Sequence, residues 1–466
     1  FSDGSDILDG NTFEPIEFTP PKIATTPLTS GARLYSVADE SLPFFTLSLY
    51  FPGGLNAEPV AKAGTLSALM RMLNAADTAK KPGEVIKGDL AGMGARLVFS
   101  QSYEYWSIQI RGLKKDFDRI FAIMEEVALR PPLPEERLAI VQNGLRAGLQ
   151  RRNDRPEDIL RRRMSEALYP GLRLGYSIQE ADIAGLNAAA LRADWQRRMR
   201  PGGMQISASG DFHATKLKER LEAFLAALPD RTPRPPQIED LTYGPALQQR
   251  GEALKGKILL VTKDAAQAVV GVTGYLPAHK HPDFFALQTG NYVLGGGSFN
   301  SRLMREIRVQ RGLAYYAYSF NRFDTYAGRF TAASGTRADQ AHVTLELMLQ
   351  LIDDMQKGDS PREMQLAKDA ILNSLAFQAT SPEGVIASEI RFRMHELPAN
   401  HLGRFPGEIR ALNIADLKGV AAKYLQPEDL IIVVVGPPTL RERLEKIRPV
   451  VTVDPEQPLT EAGASN

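Results

Sequence analysis

An internal repeat constrains the fold of this chain more than any other feature of its sequence. Residues 183–210 (IAGLNAAALRADWQRRMRPGGMQISASG) and 409–436 (IRALNIADLKGVAAKYLQPEDLIIVVVG) align without a gap, each position lying 226 residues after its counterpart. Each copy has an asparagine at a helix-capping position, then an amphipathic helical run, a break at proline and a β-rich stretch ending in glycine. A shared register over helix, turn and strand indicates two homologous halves.

The order of predicted elements indicates the fold class. Alternating or β-rich stretches predict strands at 44–51, 96–101 and 105–112 in the first half, and at 268–275, 314–320 and 328–334 in the second. Neighbouring strands are joined by short turns, and long helices follow them. This order predicts an α+β fold with two homologous halves, each a mainly antiparallel sheet with helices packed on one face.

Proline and polar residues mark the predicted domain boundaries. The segment 228–249 carries five prolines and few large apolar residues, which is typical of a semi-rigid linker. We therefore divide the chain into an extended N-terminal arm (1–30), an N-terminal α+β half (31–228), a proline-rich linker (229–250), a C-terminal α+β half (251–453) and a tail (454–466).

Composition excludes several classes of function. The 466 residues include 56 Lys+Arg, 55 Asp+Glu and no cysteine. The balanced charge gives no electrostatic footprint for nucleic acid or an anionic membrane. Without cysteine there are no disulfides, thiolate zinc sites or cysteine nucleophiles. The most apolar run, 430–435, has the length of a strand, so no membrane span is expected. Because the chain starts at Phe1, we expect that a secretory signal was removed and that the location is periplasmic.

The histidines form no recognisable metal motif. They are His213, His279, His281, His342, His395 and His401. The pair in PAHKHPD is bracketed by prolines, which predicts a solvated loop. The pair in HELPANH lacks the H-E-x-x-H spacing, and Pro398 interrupts the helix that would align the two rings. The other two are expected to be structural. No P-loop, Rossmann glycine fingerprint or G-x-S-x-G elbow is present.

Residues 294–319 (LGGGSFNSRLMREIRVQRGLAYYAYS) are the most informative segment. Three consecutive glycines permit close backbone approach, and a helix then places several arginines near one face. On the following strand Tyr316 and Tyr318 share a face, with Tyr315 on the other. An arginine and a tyrosine presented in this way could clamp a carbonyl oxygen. A glycine turn, a solvated basic helix and an aromatic strand explain the same residues without any chemistry.

This segment resembles the C-terminal-half signature of the pitrilysin/insulinase family of zinc peptidases, the inverzincins, whose group includes mitochondrial processing peptidase. The glycine run, S-R-L, E-I-R and R-G-L-A-Y all fall in register, and the duplicated halves match as well. The resemblance implies half of a clamshell. It also implies that Arg308 and Tyr315, the family's pair seven residues apart, bind substrate and stabilise the tetrahedral intermediate, and that Gly296, Gly297 and Ser298 contact substrate.

The N-terminal half departs from the family pattern. The family carries H-x-x-E-H on a helix here, with two histidines for zinc and a glutamate as general base. Alignment places Ser67, Met70 and Arg71 at these three positions, and the third ligand would fall near 147–148, where there is no acid. A hydroxyl, a thioether and a guanidinium cannot hold Zn²⁺. The resemblance therefore implies no cofactor in this chain, with zinc in a partner subunit.

Taken together, the match and the departure predict a non-catalytic partner subunit of a heterodimeric zinc metallopeptidase. Such a chain is inactive alone and supplies Arg308 and Tyr315 in trans to a peptide or unfolded protein held by a homologous zinc-binding subunit. The alternative is a structural or peptide-binding scaffold of the same fold with no role in catalysis, like the core subunits of respiratory complexes. A third interpretation, an independent hydrolase, is supported by no recognisable set of catalytic residues in the sequence.

Overall fold

Two six-stranded sheets, one in each half, form the framework of the chain in the computed structural model, which describes residues 22–229, 235–357, 360–378 and 381–459. The first sheet contains β1 (Ala24–Pro27), β2 (Arg33–Ala38), β3 (Phe44–Pro52), β4 (Arg96–Gln101), β5 (Tyr105–Leu113) and β6 (Gln205–Gly210). The second contains β7 (Ile258–Thr262), β8 (Gln267–Leu276), β9 (Ala314–Phe323), β10 (Gly328–Arg337), β11 (Ile431–Gly436) and β12 (Val450–Val453).

The two sheets share one topology. Their strand orders are β1-β2-β6-β3-β5-β4 and β12-β7-β11-β8-β10-β9. In each, one parallel pair (β2 with β6, β7 with β11) adjoins an antiparallel meander. The bounds of β6 and β11 differ by the 226 residues of the sequence repeat. The predicted duplication and the α+β fold class are confirmed. The sheets differ at one edge, where β1 runs antiparallel to β2 but β12 runs parallel to β7.

Helices surround both sheets. Those of the N-terminal half are α1 (Thr65–Asn74), α2 (Gly83–Gly92), α3 (Phe117–Leu129), α4 (Glu135–Gln150), α5 (Pro156–Leu168), α6 (Glu180–Gly185), α7 (Ala188–Arg198) and α8 (Ala214–Ala226). A short α9 (Pro245–Gln248) lies between the halves. Those of the C-terminal half are α10 (Phe284–Asn291), α11 (Ala341–Asp353), α12 (Pro361–Gln378), α13 (Pro382–Met394), α14 (His401–Ala411), α15 (Ile414–Tyr424) and α16 (Arg441–Leu444).

The repeated helices are capped alike. Asn187 precedes α7 and accepts a hydrogen bond from the Ala190 amide at 2.9 Å, and Asn413 precedes α15 and accepts one from the Ala415 amide at 2.8 Å. An N-cap of this kind satisfies amides that have no partner inside the helix. Sequence therefore fixes the start of the same helix in each half.

One helix of each half packs on the sheet of the other half. Helix α5 packs on the second face of the C-terminal sheet, where a Cβ on Gly271 of β8 would lie 2.3 Å from Met164 and 2.9 Å from Leu160. Conversely, α13 packs on the second face of the N-terminal sheet, where Ile386 and Ile390 contact Tyr35. Each sheet's own helices cover one face, as predicted, and this exchange covers part of the other.

Some residues that the sequence analysis placed outside the two halves belong to them in the structure. Residues 24–27 of the predicted arm form the edge strand β1, so this part of the arm belongs to the sheet; residues 1–21 lie outside the described residues. At the predicted tail, the carbonyls of Asp454 and Pro455 accept hydrogen bonds from the buried Arg163 at 2.7 and 3.0 Å. Residues 230–234 of the predicted linker and 460–466 of the tail also lie outside the description.

No helix in the described part of the chain combines the length and apolar character needed to cross a bilayer.

Candidate functional site

The positions aligned with the family's zinc ligands lie on α1 and cannot hold a metal. The Oγ of Ser67 accepts a hydrogen bond from the Gln101 side chain at 2.8 Å, and Met70 is buried in the N-terminal core. Arg71 is exposed and lies over α4, where a Cβ on Gly144 would be 3.5 Å from its guanidinium. A cation facing the helix that should supply the third ligand would repel Zn²⁺. Among the described residues, no group of three or more His, Cys, Asp or Glu side chains is arranged so that it could hold a metal ion.

The helix that carries these positions is held by a buried ion pair. Glu58 accepts hydrogen bonds from the amides of Gly64 and Leu66 at the start of α1, at 3.3 and 2.7 Å. The same carboxylate accepts a hydrogen bond from Arg173 Nε at 2.7 Å. A carboxylate at a helix N-terminus compensates the unpaired amides and the helix dipole. The start of α1 is therefore held in place by hydrogen bonds, although α1 carries no zinc ligands.

The glycine run of the C-terminal half is a site of close backbone packing. A π-helical turn, 292–296, leads into it, and a second, 304–310, follows. A Cβ on Gly295 would lie 2.2 Å from the Ser319 amide of β9, and one on Gly297 would lie 2.7 Å from the Tyr292 carbonyl. Ser298 has φ of +53°. The predicted close approach is therefore present, and a side chain at Gly295 would push the loop away from β9.

Arg308 differs from the arginines around it. Arg302 and Arg305 both pair with Glu363 of α12, at 2.6 and 3.1 Å, and are thus tied to the fold. Arg308 has no carboxylate within ion-pair distance among the described residues. Its guanidinium lies 5.3 Å from the centre of the exposed Phe299 ring and 3.9 Å from the Met304 sulfur. An aromatic face orients a cation without neutralising it, so Arg308 keeps an uncompensated charge at the surface.

Tyr315 stands in a β-bulge at the start of β9. Tyr316 pairs with Gly335 and Ala314 pairs with Thr336, which leaves Tyr315 as the extra residue between them. Bulges redirect side chains and are frequent beside functional sites. Tyr315 is 62% exposed, and no hydrogen bond of its hydroxyl occurs within the part of the chain that is described. Its side chain therefore reaches solvent.

A closed turn connects the segment that carries Arg308 to the strand that carries Tyr315. The amide of Gly312 donates to the Arg308 carbonyl at 3.1 Å, and the amide of Leu313 donates to the Ile307 carbonyl at 2.9 Å. The end of the π-helical turn is thereby fixed to the start of β9. The other tyrosines face elsewhere: Tyr316 and Tyr318 stack at 5.6 Å beside α5. The shared face that the sequence predicts for Tyr316 and Tyr318 is observed.

Three histidines form a buried cluster that sequence reasoning did not find. His279 and His395 are 2.8 Å apart through their Nδ1 atoms, and the His279 and His401 rings are 5.5 Å apart. The predicted solvated loop is wrong for His279, which is buried because α13 and α14 cover it. Burial, followed by the charges of His395, His401 and Arg391, lowers the pKa of His279 to about 3. No periodicity links three rings so far apart in sequence.

The chain has two homologous α+β halves, a glycine loop followed by an arginine and a tyrosine, and a helix α1 without metal ligands. Together these features define a metallopeptidase-like fold whose described residues hold no metal site. Residues 33–182 match the model of the insulinase family (peptidase family M16), and residues 185–371 match the model of the peptidase M16 inactive domain. The chain belongs to the peptidase M16 family.

Several relatives cover most of the chain. An uncharacterized zinc protease, YmxG of Bacillus subtilis, is 23% identical over 77% of this chain and 85% of its own length. A non-peptidase homolog, YmxG of Helicobacter pylori, is 22% identical over 85% and 89%. The mitochondrial-processing peptidase subunit beta of Blastocladiella emersonii is 23% identical over 90% and 89%. The crystal structure of a peptidase M16 inactive domain from Pseudomonas fluorescens superposes with a TM-score of 0.76, at 24% identity over 90% of this chain and 98% of that one.

Proposed function

We propose that this chain is the zinc-less subunit of a heterodimeric metallopeptidase and that it presents Arg308 and Tyr315 to a peptide held by a zinc-bearing homologue. The observation that carries the proposal is the contrast among neighbouring arginines. Arg302 and Arg305 form ion pairs with Glu363. Arg308 instead lies against the Phe299 ring and has no counter-ion among the described residues.

The chemistry of the pair suits a peptide carbonyl. A guanidinium and a phenol both donate hydrogen bonds, and donors aimed at a carbonyl oxygen stabilise the negative charge that develops there during peptide hydrolysis. The exposed Phe299 and Val309 flank Arg308 and give apolar surface for substrate side chains. The metal and the general base would come from the partner, because α1 of this chain cannot supply them.

The names of relatives support an assembly with other chains. One relative is a mitochondrial-processing peptidase subunit, and another, from Bos taurus, is cytochrome b-c1 complex subunit 1. The second name also supports the alternative, a scaffold without a catalytic role. A scaffold has no evident need for an unpaired arginine beside an exposed tyrosine, so we favour the enzyme subunit. The expected periplasmic location is part of the same proposal.

Co-expression with a homologue that carries H-x-x-E-H tests the assembly. We expect a stable 1:1 complex on size-exclusion chromatography, and cleavage of an unfolded polypeptide by the complex but by neither chain alone. Separate monomers or homodimers of the two co-expressed chains would contradict the proposal. A complex that forms but cleaves no faster than the homologue alone would favour the scaffold.

A further inference from the structure

A cavity of about 730 Å³ lies between the two halves. Tyr50 of β3 and Tyr105 of β5 line it from the second face of the N-terminal sheet, and α10, α12, α13 and α14 line it from the C-terminal half. Pockets for small ligands usually have volumes of about 300–1,000 Å³. The cavity therefore has room for a ligand as large as a short peptide.

Most of the cavity wall is apolar. Phe284, Ile371, Leu375, Leu402 and Phe405 form one side. Small residues on α13 leave the space open, because Gly384, Ala387 and Ser388 face the cavity where larger side chains would fill it. Such a wall favours an aliphatic or aromatic group, whose burial contributes about 25 cal/mol per Å² of apolar surface.

The described lining carries a single formal charge, on Arg391. Two residues along α13, Arg393 pairs with Glu389 at 2.6 Å. Arg391, in contrast, has no carboxylate within ion-pair distance in the described ranges, and its guanidinium lies 5.7 Å from the Phe392 ring. Its charge is felt by His279, whose pKa it helps to lower. An unpaired cation beside a mainly apolar wall is complementary to an anionic group on an apolar ligand.

The lining residue His279 adds a hydrogen-bond acceptor. The Glu104 carboxylate accepts from His395 Nε2 at 3.0 Å, so the proton of a neutral His395 is on Nε2 and its Nδ1 is an acceptor. His279 must then donate from Nδ1, since the two Nδ1 atoms are 2.8 Å apart. Its Nε2 is left as a bare acceptor, and this buried atom has no partner among the described residues. A buried acceptor without a donor is costly.

From these features we infer that the cavity binds the C-terminal residue of a peptide that ends in an apolar amino acid. The carboxylate would pair with Arg391, the apolar side chain would pack on the wall formed by Phe284 and Phe405, and the last amide N–H would donate toward His279. A fatty acid shares the carboxylate and the apolar body but has no amide donor. The inference concerns this chain alone and does not depend on the partner subunit.

Calorimetric titration of the full chain with acetyl-Leu-Phe tests the inference. The peptide with a free carboxylate should bind 1:1, and its C-terminal amide should bind about 10-fold more weakly or worse, since a charge-assisted pair is lost. Decanoate is titrated in parallel, because this fatty acid has a carboxylate and an apolar chain but no amide N–H. Weaker binding of decanoate than of the peptide acid supports a role for His279, and equal or tighter binding overturns the assignment to a peptide.

Two variants on one helix locate the binding. R391Q should weaken binding of the free-acid peptide about 10-fold or more, whereas R393Q, which breaks an ion pair on the same helix but lies outside the lining, should bind within about 2-fold of the wild type. Arg391 is exposed, so its replacement should leave folding intact, which circular dichroism verifies. Equal binding of acid and amide peptides, no saturable binding by the wild-type chain, or unchanged binding by R391Q would each overturn the inference.

Discussion

Glu104 of the N-terminal half and His395 of the C-terminal half are joined by a hydrogen bond of 3.0 Å between Oε2 and Nε2. The Thr325 amide also donates to the Glu104 carboxylate, at 2.8 Å. Burial raises the pKa of Glu104, but the hydrogen bond from His395 Nε2 and the bonds from Thr325 outweigh it, so that the pKa is lowered. The carboxylate is thus ionised at neutral pH and links the halves by a charge-assisted contact.

The histidines beside this contact predict acid sensitivity. Burial lowers the pKa of His279 to about 3 and that of His401 to about 4, from an ordinary 6.5. Between pH 6.5 and 4 the unfolded chain therefore binds protons that the folded chain does not, and the free energy of unfolding falls as the pH decreases. Each imidazole contributes up to about 1.4 kcal/mol per pH unit. Thermal unfolding followed from pH 7.5 to pH 5 should show this loss.

His401→Phe separates this effect from other titrations. The His401 ring lies among Phe285, Phe392 and Phe405, and a phenyl ring fits such surroundings without a group to titrate. We expect the variant to lose less stability than the wild type between pH 7.5 and 5. His213→Gln, at an exposed position, should follow the wild-type curve. Parallel curves for His401→Phe and the wild type would contradict the assignment.

The repeat and the periodic elements were predictable because their signals are local. Strand β4 has the bounds that the sequence predicts, and the helix of each repeat begins after its capping asparagine. Strands β2, β7 and β12 and helix α13 were not predicted. Their sequences are short or weakly periodic (VVTV, RLYSVA), and partners distant in sequence decide their state.

The candidate site was predictable only in part. The exposed Tyr315 and Arg308 follow from the spacing of a segment that resembles a known family, but their partners do not. That Arg302 and Arg305 are held by Glu363 depends on how α12 packs, 58 or more residues away. The cluster of His279, His395 and His401 likewise depends on tertiary contacts between elements that show no common pattern in sequence.

Gly271→Ala tests the exchange of helices between halves. The added methyl group would meet Met164 and Leu160 of α5 at 2.3 and 2.9 Å, and overpacking of this kind costs about 1–3 kcal/mol. Gly88→Ala is the matched control, because a Cβ there meets nothing within 4 Å in the interior of α2. It should stabilise the chain by up to about 1 kcal/mol. Chemical denaturation measures both, and equal effects would contradict close packing of α5 on β8.

Metal analysis tests the conclusion that α1 cannot bind zinc. The Ser67 hydroxyl accepts a hydrogen bond from Gln101, Met70 is buried and Arg71 is a cation. The purified chain should therefore hold no stoichiometric zinc after dialysis. An H-x-x-E-H homologue treated in the same way should retain about one zinc, as its ligand set demands. One tightly held zinc in this chain, with peptidase activity lost on chelation, would show that another site exists.

The last prediction concerns the role of Arg308 and Tyr315 in the assembled enzyme. Loss of one donor to a developing oxyanion typically lowers kcat by about 10²–10³. Tyr315→Phe removes only a hydroxyl that is exposed and makes no internal hydrogen bond in the described structure, so neither folding nor assembly should change. Arg308→Ala should lower turnover to a similar extent, and the double variant should lose less than the product of the two, because both donors serve one carbonyl.

Tyr318→Phe is the control for this pair. Tyr318 lies on the same strand, is 40% exposed and stacks on Tyr316 and Phe320 beside α5. Its loss of a hydroxyl should leave turnover within about 2-fold of the wild type, since it removes no donor from the carbonyl. Single-turnover assays on the heterodimer, with zinc content checked for each variant, distinguish chemistry from assembly. Wild-type turnover by the complex carrying Tyr315→Phe would assign this chain to the scaffold class.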